Sequence, residues 1–172
     1  MANIDDGAAP PPDAAEAPSL AINAQYVKDL SFENPNAPHS LTQAANRPQI
    51  DVNVDVQARG LAANTFEVDL HVTAAAKHGE AVAFMVELVY SGLFTLRNIP
   101  QEQLEPICLI ECPRLIFPFA RRIISDVTRD GGFPPLLLDP IDFFQLYRRN
   151  RQATGGAAPA AGNGASGDTV EI

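Results

Sequence analysis

Two cysteines and three histidines are the residues of this 172-residue chain best suited to metal binding or nucleophilic catalysis. Cys108 and Cys112 are four positions apart, so on a helix both would lie on one face. Two thiolates do not complete a structural zinc site, which needs four ligands. The histidines His39, His71 and His78 are scattered, and no local signature pairs one of them with a cysteine. The pattern favours small thiols buried on a helix face, with no metal site.

Carboxylates are the other candidates for acid–base chemistry, and Asp51 and Asp55 share one face of a predicted strand. They would form a catalytic pair only inside a pocket, so a solvated strand face is the simpler interpretation. The sequence has no GxGxxG, GxxxxGK[ST], GxSxG or HExxH motif, and Gly131-Gly132 suits the end of a helix better than a phosphate site. We therefore expect no catalytic residue, no metal and no cofactor.

The overall charge excludes some classes of partner. Twelve basic and 21 acidic residues give a net charge of −9, which argues against nucleic acid as the main partner. No apolar run approaches the ~18 residues that a membrane-spanning helix needs, so we expect no membrane insertion. The first residues have neither a basic nor an apolar stretch typical of a secretory signal, and two cysteines are too few for a disulfide-rich secreted fold. These features favour a cytoplasmic protein.

Composition divides the chain into three parts. Residues 1–18 are rich in Ala, Pro and acids and have little to bury, which predicts a disordered extension. Residues 153–172 are rich in Gly and Ala, which predicts a flexible tail. Residues 19–152 remain as one folded domain, a length that is sufficient for a single core.

The first half of this domain has the alternation of apolar and polar residues that is typical of half-buried strands. It occurs near residues 20–30, 50–57, 66–73 and 82–90, and a turn is predicted at Lys77–Glu80, where Gly79 is free to take a positive φ. In the first of these strands, alternation groups Asp29 with Val27 and Glu33. Short connections favour an antiparallel meander with one packed face and one solvated face.

The second half is predicted to be helical. One helix starts near Pro100 with Pro106 in or near its first turn, and a longer one runs from Pro113 to Asp130, with Pro118 as a kink or as its true start. A last helix is expected over 140–152, capped by Asp139. The apolar stripe of the helix over 113–130 is wider than one sheet requires. It is therefore either a well-buried core helix or a helix between subunits.

One long segment is more distinctive than these patterns. Tyr26 to His39 reads YVKDLSFENPNAPH, which in local terms is a strand end followed by a proline-rich extended turn. It resembles the opening segment of the SecB family of bacterial export chaperones. Further matches follow in order over about 20–150: Gly79-Glu80, Ala83-Phe84, Glu87, the run from Cys112 to Arg121 containing LIFPFAR, Gly132-Phe133-Pro134 and Pro140.

This resemblance implies an α+β fold, a four-stranded antiparallel sheet with helices packed behind it, that assembles as a homotetramer, a dimer of dimers. It implies a chaperone and not an enzyme. Such a protein binds unfolded precursor proteins without ATP, keeps them competent for translocation and delivers them to the SecA ATPase. It also places the long helix at the centre of the tetramer.

The resemblance also assigns site residues. The family's SecA-docking positions fall on Asp29, Glu33, Met85 and Glu87. Its groove for client proteins corresponds to Ile50, Val52 and Val54, with the last helix acting as a lid through Phe144.

Two other functions fit a small α+β domain. One is an acyl-thioester hydrolase that uses an acid such as Asp51 or Glu67 at a subunit interface, which would need a closed pocket and a perturbed carboxylate. The other is a passive ligand-binding or scaffold protein of the same fold, without a preference for unfolded chains.

Overall fold

Four long antiparallel strands form one sheet in the computed structural model, which describes residues 17–42 and 48–153. The strands are β1 (Ser19–Glu33), β2 (Gln49–Ala62), β3 (Thr65–His78) and β4 (Ala81–Arg97). All but two residues of the predicted extension, and the predicted tail beyond Ala153, lie outside the described residues.

The order of strands across the sheet is β1-β4-β3-β2. The last three strands follow one another as hairpins, and Gly79 takes the predicted positive φ of 60° in the turn before β4. The prediction of a simple meander is wrong for β1, which pairs with β4 instead of β2 in a Greek-key order. Alternation within a strand does not specify a partner about 60 residues away, because it records only which side chains share a face.

Two irregularities in β1 change which of its residues share a face. The register against β4 shifts between Ile22 and Ala24 and again between Val27 and Asp29. Each shift inserts an extra residue, as a β-bulge does, and reverses the alternation beyond it. Val27 is therefore on the helix-covered face and Asp29 on the opposite face, so the predicted grouping of these two residues is wrong.

The helices form one layer on one face of the sheet. They are the short α1 (His39–Thr42), α2 (Gln101–Pro106), α3 (Cys112–Asp130) and α4 (Phe143–Ala153), with a π-helical segment, Ile107–Glu111, joining α2 to α3. The long helix ends as predicted. Pro106, however, is the last residue of α2 and not part of its first turn, and Pro118 lies inside α3 and does not start it.

The two glycines after α3 are required for different reasons. Gly132 has a φ of 88°, the left-handed conformation that commonly ends a helix. Gly131 has an ordinary helical φ of −71°, but a Cβ atom there would lie 2.2 Å from Cζ of Phe32. Gly131 therefore allows β1 to approach the end of α3.

The start of α4 also differs from the prediction. The backbone N–H of Gln145 donates a hydrogen bond of 3.0 Å to the side chain of Asp142, so Asp142 caps the helix instead of Asp139. Asp142 has the same short acidic side chain as Asp139 and serves as the cap. The helix therefore begins at Phe143, three residues later than predicted.

The core lies between the sheet and α3. Even-numbered residues of β3 and β4, such as Leu70, Leu88 and Phe94, pack against Ile116 and Ile124 of α3, and all five are buried. The α+β prediction, with one packed face and helices behind it, is confirmed. In the single chain, Leu115 and Phe119 on α3 stay more than 40% exposed.

Candidate functional site

The face of the sheet opposite the helices, here called the open face, is strongly acidic. Residues paired across all four strands form three adjacent rows, the acidic rows, with five carboxylates and neither lysine nor arginine among their twelve described positions. The rows are Glu33, Met85, Ala75 and Asp51; Ser31, Glu87, Thr73 and Asn53; and Asp29, Val89, His71 and Asp55.

The structure brings together all four residues that the resemblance assigned to docking. Glu33 pairs with Met85, the next pair includes Glu87, and the third includes Asp29. All four side chains are exposed on one face of two neighbouring strands. Their docking role stays a prediction, but their common face is now a structural fact.

A polar network lies beside the acidic rows and neutralises two nearby cations. The carboxylate of Glu67, buried on β3, accepts hydrogen bonds from the Tyr26 hydroxyl and from Nζ of Lys28, at 3.0 Å, and pairs with the Arg59 guanidinium. Lys28 also lies 2.6 Å from Asp69, which in turn accepts a hydrogen bond from Ser91 at 2.6 Å. The network ties β1, β2, β3 and β4 together.

These contacts change the pKa values of the groups involved. Burial alone raises the pKa of Glu67, but the hydrogen bonds from Tyr26 and Lys28, the charge of Lys28 and the bond from Arg59 outweigh it and hold the pKa below the usual range. Burial alone lowers the pKa of Lys28, but its bonds to Asp69 and Glu67 outweigh this, so its pKa is raised. Both groups are therefore held in their charged forms, and the acidic rows keep their excess of negative charge.

A groove with apolar residues of β2 as one wall, and with both apolar and polar residues opposite, follows this edge strand of the described sheet. Its larger part has a volume of about 730 Å³ and lies between Ile50, Val52 and Val54 on one side and the segment 136–142 and α4 on the other. A smaller part of about 300 Å³ shares Ile50 and Leu136 with it. Ile50 and Val52 are 40% and 45% exposed, which is unusual for adjacent large apolar side chains of one face.

The predicted lid residue is not part of this groove. Phe144 is not among the residues that line it, is half exposed and lies under the Arg148 guanidinium, whose Cζ is 5.8 Å from the ring centroid. The residues that α4 contributes to the groove are instead Gln145, Leu146 and Arg149. Successive residues of an α-helix are rotated by about 100°, so neighbouring side chains point in different directions. The residues that α4 turns toward β2 therefore differ from Phe144.

Sequence patterns did not identify two parts of these surfaces. The segment 133–142 lines most of the groove, but it forms no helix or strand and has no periodicity to interpret. Its run of Pro134, Pro135 and three leucines was the available signal, since prolines hold such a segment extended. Asp51 and Asp55 were assigned to a solvated face, and they extend the acidic rows to β2.

The residues considered for metal binding and catalysis are not assembled into a site. Cys108 and Cys112 are both fully buried, and their mutual hydrogen bond, together with burial, raises the pKa of the Cys112 thiol. Within residues 17–42 and 48–153, no group of three or more His, Cys, Asp or Glu side chains is placed to hold a metal ion. His39 begins α1, His71 is on the open face and His78 lines the smaller part of the groove.

The network predicts a pH-dependent contribution to stability. Because the folded-state pKa of Glu67 is depressed, its contribution is present above the unfolded value of about 4.3 and is lost as the pH falls through the lower folded value. Glu67→Gln should lower the free energy of unfolding at about pH 7 by roughly 1–3 kcal/mol and flatten its fall below about pH 4.5, as measured by urea unfolding. The exposed Glu87→Gln is the control and should cost about 0.5 kcal/mol or less at neutral pH. Equal losses for both variants would contradict a structural role of the network.

Comparison with known proteins relates these surfaces to a family. The family model described as "Preprotein translocase subunit SecB" matches residues 13–154. Two curated relatives, each named "Protein-export protein SecB", come from Rhodopseudomonas palustris (strain BisB5) and Maricaulis maris (strain MCS10). Both are 55% identical to this chain; the first match covers 88% of this chain and 97% of the relative, and the second covers 90% of each.

A solved structure gives independent support for the fold. The SecB-like chaperone Rv1957 of Mycobacterium tuberculosis, solved in complex with a peptide from the HigA1 antitoxin, superposes with a TM-score of 0.61 at 16% identity. The match covers 71% of this chain and 90% of that one. In the described part of this chain, no helix has the length and apolarity needed to cross a bilayer. The fold and the extent of the sequence match together establish that this chain belongs to the SecB family of protein-export proteins.

Proposed function

We propose that this protein is a cytoplasmic, ATP-independent chaperone that binds unfolded precursor proteins in the groove along β2 and delivers them to SecA through the open face. The observation that best supports this is the coexistence of an exposed apolar groove and a separate acidic face on one chain of the SecB family. A protein that both holds a client and docks to a second partner needs two such surfaces.

The groove has properties that suit unfolded chains. Ile50, Val52 and Leu137 are between 40% and 65% exposed, so a client's apolar side chains have exposed partners. Burying apolar surface of the client contributes roughly 25 cal/mol per Å² to the binding free energy. Much of this contribution is offset by the conformational entropy that the client loses when it becomes ordered. Beside the groove, β2 has only one strand neighbour in the described sheet, which allows an extended client to pair with it. The M. tuberculosis neighbour was itself solved in complex with a peptide.

The open face suits a basic partner. Asp29, Glu33 and Glu87 lie close together in the acidic rows, where the described positions include no lysine or arginine. Such a field attracts a positively charged segment of SecA, speeds the encounter and makes binding sensitive to salt. Met85, which lines a depression of about 320 Å³, adds an apolar contact beside Glu33 and Glu87.

We further propose the assembly that the family resemblance implies, a dimer of dimers. On the helix-covered face, Ile22, Val27 and Leu30 of β1 remain exposed, and α3 exposes Leu115 and Phe119. These large apolar residues lie on an edge strand and on the long helix, where a second copy of the chain would cover them. Within this assembly, residues 19–152 form the domain, and 1–18 and 153–172 are extensions.

The competing functions fit the geometry less well. A hydrolase would need a closed pocket around a perturbed carboxylate, but Asp51 is exposed, and Glu67 is held ionised by a hydroxyl and two cations. We propose that the protein has no catalytic activity and no cofactor. A scaffold of the same fold would not distinguish unfolded from folded chains, and the following measurement separates it from a chaperone.

Changes in the groove should weaken holding. The protein in excess, without nucleotide, should slow refolding of a chemically unfolded precursor, and Ile50→Ser with Val52→Ser should reduce this effect about tenfold by removing apolar contact area. Leu61→Ser is the matched control, because Leu61 is an exposed apolar residue of the same strand that does not line the groove. No slowing by the wild-type protein would favour the scaffold, and equal loss in the control would place client binding elsewhere.

Changes on the open face should weaken docking alone. Asp29→Asn with Glu87→Gln should reduce SecA affinity about tenfold at low salt, because two charges are lost from one surface, and leave the refolding delay unchanged. Glu102→Gln with Asp130→Asn changes the charge equally at exposed positions on the helical layer and should have little effect. Calorimetric titration with SecA checks this, and a parallel loss of holding would show that the two surfaces are not separate.

Charges on the exposed apolar face of α3 should disrupt assembly. Leu115→Glu with Phe119→Glu should lower the mass seen by analytical ultracentrifugation, because an assembled interface would bury both carboxylates. Leu61→Glu is the control and should leave the mass unchanged. An unchanged mass for the double variant, with circular dichroism showing a folded protein, would contradict a role of α3 at the interface.

A further inference from the structure

The chain beyond α4 starts beside the client groove. Arg149 lines the groove and is about one helical turn before Ala153, where the described part of the chain ends. The Asn150 side chain donates a hydrogen bond of 3.3 Å to Asp55 on β2, next to Val54 of the groove. Residues 154–172 therefore continue from one end of the groove.

The last residues of the sequence have the pattern of a β-strand and not of a linker. Residues 154–167 are mostly Gly and Ala, but 168–172 read DTVEI, in which Val170 and Ile172 alternate with Glu171. In an extended chain, Val170 and Ile172 share one face. They are the only large aliphatic side chains after α4.

The length of the intervening chain is sufficient for this segment to return to the groove. Val170 is 17 positions after Ala153 along the chain, which allows a span of up to about 55–60 Å when extended. The groove runs along β2 from Pro48 to Val54, about 20 Å at ~3.3 Å per residue. The five residues of DTVEI, about 17 Å long, match its length.

Charge gives the segment an orientation in the groove. Two acids, Asp139 and Asp142, line the end of the groove where α4 begins, and Asp142 is engaged in capping the helix. Arg149 lines the other end, about 10 Å further along α4. If Asp168 lies beside Arg149, Val170 and Ile172 follow along β2 on the same face of the segment. Glu171 alternates with them and therefore points to the opposite face, away from Asp139 and Asp142.

We propose that residues 168–172 occupy the groove as an extended strand beside β2, with Val170 and Ile172 against Ile50 and Val52, and compete with clients there. The competition is intramolecular, so a tether of this length supplies an effective concentration on the order of millimolar. Even a weakly bound tail would then reduce client affinity and favour clients with several apolar segments. Only the competition with clients rests on the proposed function; occupancy of the groove does not.

Occupancy is tested by methyl NMR of the full-length protein carrying Val170→Ser and Ile172→Ser. Relative to wild type, the Ile50, Val52 and Val54 methyl signals should shift, and a peptide of residues 166–172 added in trans should return them toward their wild-type positions. The methyl groups of Leu115, on the exposed face of α3, are the internal control and should not move. Unchanged β2 methyl signals, or a peptide that shifts Leu115 instead, would overturn the proposal.

Competition is tested with an unstructured, apolar client peptide. Val170→Ser with Ile172→Ser should tighten its binding by about two- to tenfold, whereas Thr169→Ser, in the same segment, should leave it unchanged. Equal client affinity for all three proteins would overturn the competition. If no protein binds the client but the β2 methyl signals still respond to the tail, the proposed function fails and the occupancy of the groove stands.

Discussion

The structure depends on one constraint, which is that a single layer of helices covers only one face of a four-stranded sheet. The even-numbered residues of β3 and β4 meet α3 and form the core, and Phe94, Leu88 and Ile124 are almost fully buried. Nothing equivalent covers the open face or the outer edges of β1 and β2 in the described chain. Each of the three surfaces discussed above is a part of the sheet or of α3 that this arrangement leaves exposed, so the proposed functions all depend on incomplete coverage of the sheet.

An uncovered face must be stabilised without an apolar core, and the Glu67 network does this. Glu67 and Asp69 engage Lys28 and Arg59 across three strands, and Lys28 is the residue at which β1 bulges. The bulge reverses the alternation beyond Lys28, so that Asp29 and Glu33 both lie on the open face instead of pointing toward α3. A local irregularity thus places the lysine of the network and the two acidic residues on the same face of the sheet.

How much of this the sequence predicts depends on whether the signal is local. Alternation in β2, in β3 and in β4 from Phe84 onward predicted the correct faces, since side-chain period and burial coincide there. Val82, which alternation grouped with Phe84, precedes a register shift and pairs with Lys77 on the other face. The bulges in β1, the pairing of β1 with β4 and the cap at Asp142 depend on contacts between distant or competing residues, and periodicity does not record them. The four docking positions came from family resemblance. Parity correctly grouped Asp29 with Glu33, but it also grouped Asp29 with Val27, which lies on the other face. The groove wall at 136–142 has no regular structure and therefore gave no pattern to interpret.

The two proposed binding surfaces are separate, but they are not independent, because β2 contributes to both. Ile50 and Val52 face the groove, while Asp51 and Asn53, between and after them, line the depression on the open face beside Met85 and Glu87. Consecutive Cα atoms are only 3.8 Å apart, so a client that pairs with β2 and changes its twist also moves Asp51. Because β2 is an edge strand, it is freer to make such an adjustment than the central strands β3 and β4. In β2, residues that face the groove alternate with residues that face the acidic rows. This alternation is therefore a short physical connection between the proposed client site and the acidic face.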